Sequence, residues 1–181
     1  MELVDIYNNK HEKLNYTKNR KELIEGEFRL SCFVWVVNEN NQILVQQRTS
    51  NTKKMPNMWG TTAGGVLAGE TSLEGTLREL KEELGIEATK DELEFIGSNK
   101  RINDYVEVWL YKKNINLNEL KLDPTEVQDA KWVSIKEFET MLSDGIGINS
   151  GYDIFKMYYE QFYNKHYEIL GGRPVLVENE R

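Results

Sequence analysis

Residues 64–86 read GGVLAGETSLEGTLRELKEELGI, a glycine-rich loop running into a strongly periodic segment. Thr71 and Glu74 stand at capping-box spacing, so a helix is expected over 71–84, and Gly85 suits the left-handed residue that follows a helix end. At about 100° per residue, Leu73, Leu77, Leu80 and Leu84 fall within an arc of roughly 60°. That face belongs in a core. Glu79, Glu82 and Glu83 cover a different arc of roughly 100°, spaced so that their carboxylates can converge. Charges about 6 Å apart repel by roughly 0.7 kcal/mol per pair in bulk water, and by several times that in a cleft. On an isolated helix such a face simply stays solvated. Here the preceding glycines let backbone approach a ligand closely, and hard oxygens with no His or Cys nearby suit Mg²⁺ or Mn²⁺ rather than zinc.

Gly64, Glu70, Arg78-Glu79-Leu80, Glu82-Glu83 and Gly85-Ile86 together resemble the signature box of the Nudix hydrolases, and every fixed position of that box is matched. The resemblance implies an α/β fold, the Nudix-type α/β/α sandwich with a mixed β-sheet. It also implies a Mg²⁺- or Mn²⁺-dependent pyrophosphohydrolase acting on a nucleoside diphosphate linked to X or a related organic diphosphate. Glu79, Glu82 and Glu83 would coordinate the metal, with the Gly64 carbonyl a further ligand. Arg78 and Glu70 would form the supporting ion pair that holds the loop against the helix. For the general base, family members use either the box or a later loop. Glu82 and Glu83 are the candidates within the box; Glu126, in DPTEVQDAKW, is the best later one, and Glu107, in DYVEVWLYK, the second.

The whole chain is consistent with that class. At 181 residues it fits one domain, with an N-terminal strand or strap over about 1–27 and a C-terminal helix and tail over about 151–181. A net charge of −7 argues against nonspecific attraction to nucleic acid or an anionic membrane. An acidic protein that binds a phosphate substrate needs a cation between them. No apolar run is long enough for a membrane span, and the start, MELVDIYNNK, lacks the order of a secretory signal. Cys32 is the only cysteine, which fits a reducing cytoplasm.

Along the chain, 2–8 and 28–37 (FRLSCFVWVV) read as strands, with 43–48 as the hairpin partner of the second. Residues 9–27 give no clean period; a helical turn or strap over 17–25 is the expectation. Further strands are expected over 59–62, 93–102, 105–112 and 130–133. Ser134 is placed to cap a helix over 135–142, and a last helix is expected over 152–170. Phe155, Tyr158, Tyr159, Phe162 and Ile169 then share one face, suited to core or homodimer packing. The tail, 171–181, reads as loose chain or an added edge strand.

Candidates for substrate binding lie just before the box. Arg48, Lys53 and Lys54 read either as solvated loop residues or as a basic rim that meets phosphate. Trp59 reads as core or, because it leads into the box, as a stacking residue. The expected partner is a small-molecule diphosphate. The chain from residue 1 to about 140 also resembles the Nudix branch that contains the isopentenyl diphosphate isomerases. Those enzymes use a cysteine just before the box and a set of histidines, whereas this chain has Trp59-Gly60-Thr61-Thr62-Ala63 there and only His11 and His166. An isomerase-like enzyme and a noncatalytic ligand-sensing module are therefore the alternatives. The intact acids count against the second.

Overall fold

The computed structural model describes residues 2–162, 166–170 and 173–177. The chain opens with β1 (Leu3–Tyr7) and β2 (Lys13–Asn19), an antiparallel ribbon. The helical turn expected over 17–25 is absent. Lys13–Asn19 is an edge strand that is largely exposed, so it carries no alternation for a sequence reading to detect.

After the ribbon come β3 (Arg29–Val37), β4 (Gln42–Arg48), β5 (Trp59–Gly60) and β6 (Thr62–Gly65), then α1 (Ser72–Leu84). β7 (Leu93–Lys100), β8 (Asp104–Lys112), β9 (Val127–Ser134), α2 (Ile135–Ser143) and α3 (Tyr152–Phe162) follow. β3 lies at the centre of a mixed sheet. It pairs in parallel with β8 along its whole length, and its other edge pairs antiparallel with β6 from Ser31 to Val34. The expected hairpin with β4 touches at a single register pair, Val37 and Ile43. Beyond it β4 diverges and pairs with β9 and β5.

Alternation along β3 explains the layers. Phe33, Trp35 and Val37 enter one apolar cluster with Phe138 of α2 and with Tyr152 and Phe155 of α3. Val34 and Val36 enter another with Leu80 and Leu84, against which Leu73 and Leu77 pack. Helices thus cover both faces, the α/β/α sandwich expected from the box. Each fully buried aliphatic side chain of this kind contributes roughly 1.5–3 kcal/mol.

The last helix is shorter than expected. α3 is described as far as Phe162, residues 163–165 lie outside the described residues, and β10 (His166–Leu170) pairs antiparallel with β11 (Arg173–Val177). Ile169 therefore lies in a strand and not in the expected helix. Phe155 is fully buried, and Tyr158 and Tyr159 pack against the same core. Residues 171–172 and 178–181 of the tail lie outside the described residues. Among the described residues, no helix is long and apolar enough to cross a membrane.

Candidate active site

Local sequence fixes α1 at both ends. The Thr71 side chain accepts the Glu74 N–H, Glu74 bonds back to the Thr71 N–H at 3.0 Å, and Gly85 closes the helix with φ 70°. With the leucines held in the core, the carboxylates are set by the neighbouring strands. Gly64 on β6 lies directly against Glu79: a Cβ built there would sit 1.9 Å from Glu79 Oε1. The glycine leaves room for that carboxylate.

Glu83 is only 3% exposed and accepts from Gln46 Nε2 at 2.7 Å. Thr62 Oγ donates to the other end of the same amide at 3.2 Å, which fixes how Gln46 points. Burial pushes the Glu83 carboxyl up to about 8, with the charges of Glu79 and Glu126 adding to it. Burial likewise raises Glu79, to about 7, against the opposing pull of Arg78 and with help from Glu82 and Glu126. The buried Glu83 thus has no cation bonded to it, whereas the half-buried Glu79 is raised even with Arg78 at 2.7 Å.

Glu82 is placed differently. Its side chain is 58% exposed and accepts from Arg78 Nη1 at 3.1 Å, while the same nitrogen donates to Glu79 at 2.7 Å. Among the described residues, no three His, Cys, Asp or Glu side chains are gathered as a preformed metal cage. The arginine between Glu79 and Glu82, and the amide on Glu83, occupy those oxygens. The donor set still fits a hard divalent cation: carboxylates at three depths on one helix, with Gly64 against Glu79, and oxygen ligands throughout.

Arg78 and Glu70 form the expected pair, through Nε at 2.9 Å and Nη2 at 3.1 Å, and Nη2 also reaches the Gly65 carbonyl at 2.9 Å. Burial acts to raise Glu70, but the Arg78 bonds and the Leu67 N–H outweigh it and hold the carboxyl below the usual range. Glu126, on the later loop, acts on the acids through its charge. Glu126 is exposed, its charge is felt by both Glu79 and Glu83, and its carbonyl is tied to the Thr49 N–H at 2.9 Å.

Other candidates are placed elsewhere. Glu107 accepts from the Ser72 hydroxyl at the start of α1 and faces His11 Nε2 at 3.7 Å, so it is engaged away from the acid pair. Trp59 is 8% exposed and part of the core, with Lys131 Nζ 4.1 Å above its ring. Lys53 and Lys54 are exposed on the loop after β4, where Arg48 Nε donates to the Lys54 carbonyl at 3.1 Å. Gln46 was not singled out from the sequence. Its signal was there: a polar residue on the inward register of a strand whose neighbours, Ile43 to Val45, are all core.

Residues 27–148 match the NUDIX domain, and the chain belongs to the Nudix family. An uncharacterized Nudix hydrolase of Listeria monocytogenes is 34% identical over 152 residues, covering 80% of this chain and 87% of that protein. The isopentenyl-diphosphate Delta-isomerase of Escherichia coli is 28% identical over 107 residues, covering 56% of this chain and 59% of that enzyme. The crystal structure of DR0079 from Deinococcus radiodurans shares the fold, with a TM-score of 0.72 over 87% of this chain and 99% of that one at 17% identity.

Proposed function

We propose that the chain is a Mg²⁺- or Mn²⁺-dependent pyrophosphohydrolase that cleaves a diphosphate linkage in a nucleoside diphosphate linked to X or a related organic diphosphate. The pair Glu79 and Glu83 carries this reading. Glu83, buried and raised to about 8, and Glu79, raised to about 7 even with Arg78 bonded to it, are costly to keep ionised together unless a further cation joins them. Glu79, Glu82 and Glu83 would hold that metal, with the Gly64 carbonyl beside them. When bound, it would neutralise diphosphate charge and polarise phosphorus.

The chain's own residues supply the rest. Gln46 orients Glu83, and Arg78 orients Glu79 while bonded to Glu70. Glu126 is an exposed carboxylate beside the pair and is assigned as the acceptor of the attacking water's proton, with Glu82 or Glu83 the alternative within the box. Arg48, Lys53 and Lys54 form a cationic rim for the substrate's phosphates. The residues before 27 and after 148 complete one unit with the matched domain, and the lone Cys32 agrees with a reducing compartment.

Similarity to an isomerase raises a second reading. The stretch just before the box, Trp59 to Ala63, holds no cysteine, and the lone Cys32 lies buried on β3, which favours hydrolysis. A screen of nucleotide sugars, dinucleotides, nucleoside triphosphates and isopentenyl diphosphate with Mg²⁺ and Mn²⁺ tests the proposal. Metal-dependent release of phosphorylated products from one class is the expected result. Isomer formed from isopentenyl diphosphate without phosphate release would replace it.

A further inference from the structure

Residues 66–70 leave β6 and deliver Glu70 to Arg78, and a tight turn sets their path. The Glu70 N–H donates to the Leu67 carbonyl at 3.1 Å. Gly69, the third residue of the turn, has φ +87°, whereas Ala68 before it is not among the positive-φ residues. Positive φ at that position alone defines a type II turn. Rotating the Ala68–Gly69 peptide would convert it to type I and reverse the direction of that peptide's N–H and C=O.

Asp5 of β1 bonds to that peptide. Its Oδ2 accepts the Gly69 N–H at 2.9 Å, and Lys13 Nζ of β2 holds the same oxygen at 2.6 Å. Next to it, the Leu3 carbonyl accepts the Ala68 N–H at 2.9 Å. Asp5 is itself buried, at 8% exposure. A rotated peptide would turn its carbonyl oxygen toward the carboxylate, setting acceptor against acceptor with no proton between them. Both contacts come from strands that precede residue 27, where the family match begins.

We propose that Asp5 is a positioning residue for the hydrolytic site. Holding the Ala68–Gly69 peptide in its type II orientation keeps Glu70 on Arg78, and so keeps Arg78 on Glu79. The Glu70 carboxylate accepts the Leu67 N–H at 3.0 Å and two Arg78 nitrogens at 2.9 and 3.1 Å. Arg78 Nη1 then donates to Glu79 at 2.7 Å. A rotated turn moves Glu70, and the arginine loses the anchor that sets the angle of Glu79. The inference rests on the function proposed above for those carboxylates.

The test uses the full chain with Asp5→Ala, Asp5→Asn and a control, Lys18→Met. The control cuts the ion pair to Glu27, 2.7 Å long, on the same ribbon but away from the turn. Asp5→Ala is expected to speed amide exchange at Gly69 and Leu67 and to weaken Mn²⁺ binding, read by electron paramagnetic resonance. It is also expected to lower kcat by about tenfold with little change in KM, the scale of losing an outer-shell partner. Asp5→Asn keeps an acceptor for Gly69 and recovers most of the kcat and Mn²⁺ affinity. Lys18→Met lowers the thermal midpoint and leaves kcat and Mn²⁺ affinity alone. Wild-type kcat and Mn²⁺ affinity in Asp5→Ala overturns the proposal, and so does a loss in Lys18→Met equal to that of Asp5→Ala. If Glu83→Gln is inactive while Asp5→Ala is intact, only the positioning role falls. If Glu83→Gln is fully active, the carboxylate site itself falls.

Discussion

Asp104 and Glu83 are both buried carboxylates, 2% and 3% exposed, on different strands and helices of one sandwich. Burial acts to raise Asp104, but Arg101 bonds it at 2.5 and 2.9 Å, Ser31 Oγ donates at 2.8 Å, and Arg29 lies 3.7 Å away. These outweigh burial and hold the carboxyl below its usual range. Glu83 has the Gln46 amide and no guanidinium, so burial prevails and drives it up to about 8. A buried acid with its cations built in is a piece of structure. One given only neutral donors keeps the cost of burial uncompensated.

The most severe way to break this contrast is Glu83→Gln. It keeps the side chain's size, and kcat should fall on the order of a thousandfold, the worth of several kcal/mol of transition-state stabilisation. Metal-dependent turnover at the wild-type rate in this variant would remove Glu83 from the site. Gly64→Ala comes next. Its Cβ would meet Glu79 Oε1 at 1.9 Å and Cδ at 2.0 Å, so the flexible Glu79 side chain must swing away. Gly64 has no positive φ, and the backbone accepts alanine. The expected outcome is a loss of about a hundredfold in kcat with a nearly unchanged urea midpoint; a large stability loss would mean that the glycine serves folding instead.

Asp104→Asn should invert that pattern. It strips the anion from Arg101 and Arg29, and breaking a buried pair costs roughly 3–5 kcal/mol. The Arg101 side chain is 46% exposed, so about 2 kcal/mol is the better expectation here. Urea unfolding would show it as a lower midpoint, while kcat should stay near wild type. A strong kcat loss without destabilisation would draw Asp104 into the active site.

The same contrast marks how far the sequence could be read. α1 was legible because its signals are local: the Thr71–Glu74 box, the leucine period and Gly85 lie within fifteen residues or so. β3 was legible because both of its faces are buried. The helical wheel placed Glu82 and Glu83 in one arc, but depth separates them, and depth depends on β4, which brings Gln46 from 37 positions away. Asp5 meets Gly69 across 64 positions and leaves no trace in local pattern. Reading the last helix through to residue 170 failed because the apolar period persists past Phe162, whereas residues 166–170 form a strand.

The gentlest test follows stability against pH, and the two regions should give it opposite limbs. Asp104 is depressed in the folded chain, so the unfolded state binds more protons at low pH. Its contribution is present above the ordinary value of 3.8 and is lost as pH falls through the folded value. Glu79 and Glu83 are raised from 4.5 to about 7 and about 8, so between those values the folded state binds more protons. Stability contributed by their protonated forms is therefore lost as pH climbs from about 4.5 to about 8, on the order of a few kcal/mol for each acid before coupling between the pair is counted. Metal-free protein should melt highest near pH 5 and progressively lower toward pH 8.5. Saturating Mg²⁺ should raise the midpoint most on that alkaline side, since a cation that binds only the folded, ionised pair offsets the cost of ionising it. Glu83→Gln should flatten the alkaline limb without metal. An alkaline limb unchanged by both the variant and Mg²⁺ would mean that the two raised acids do not share a cation.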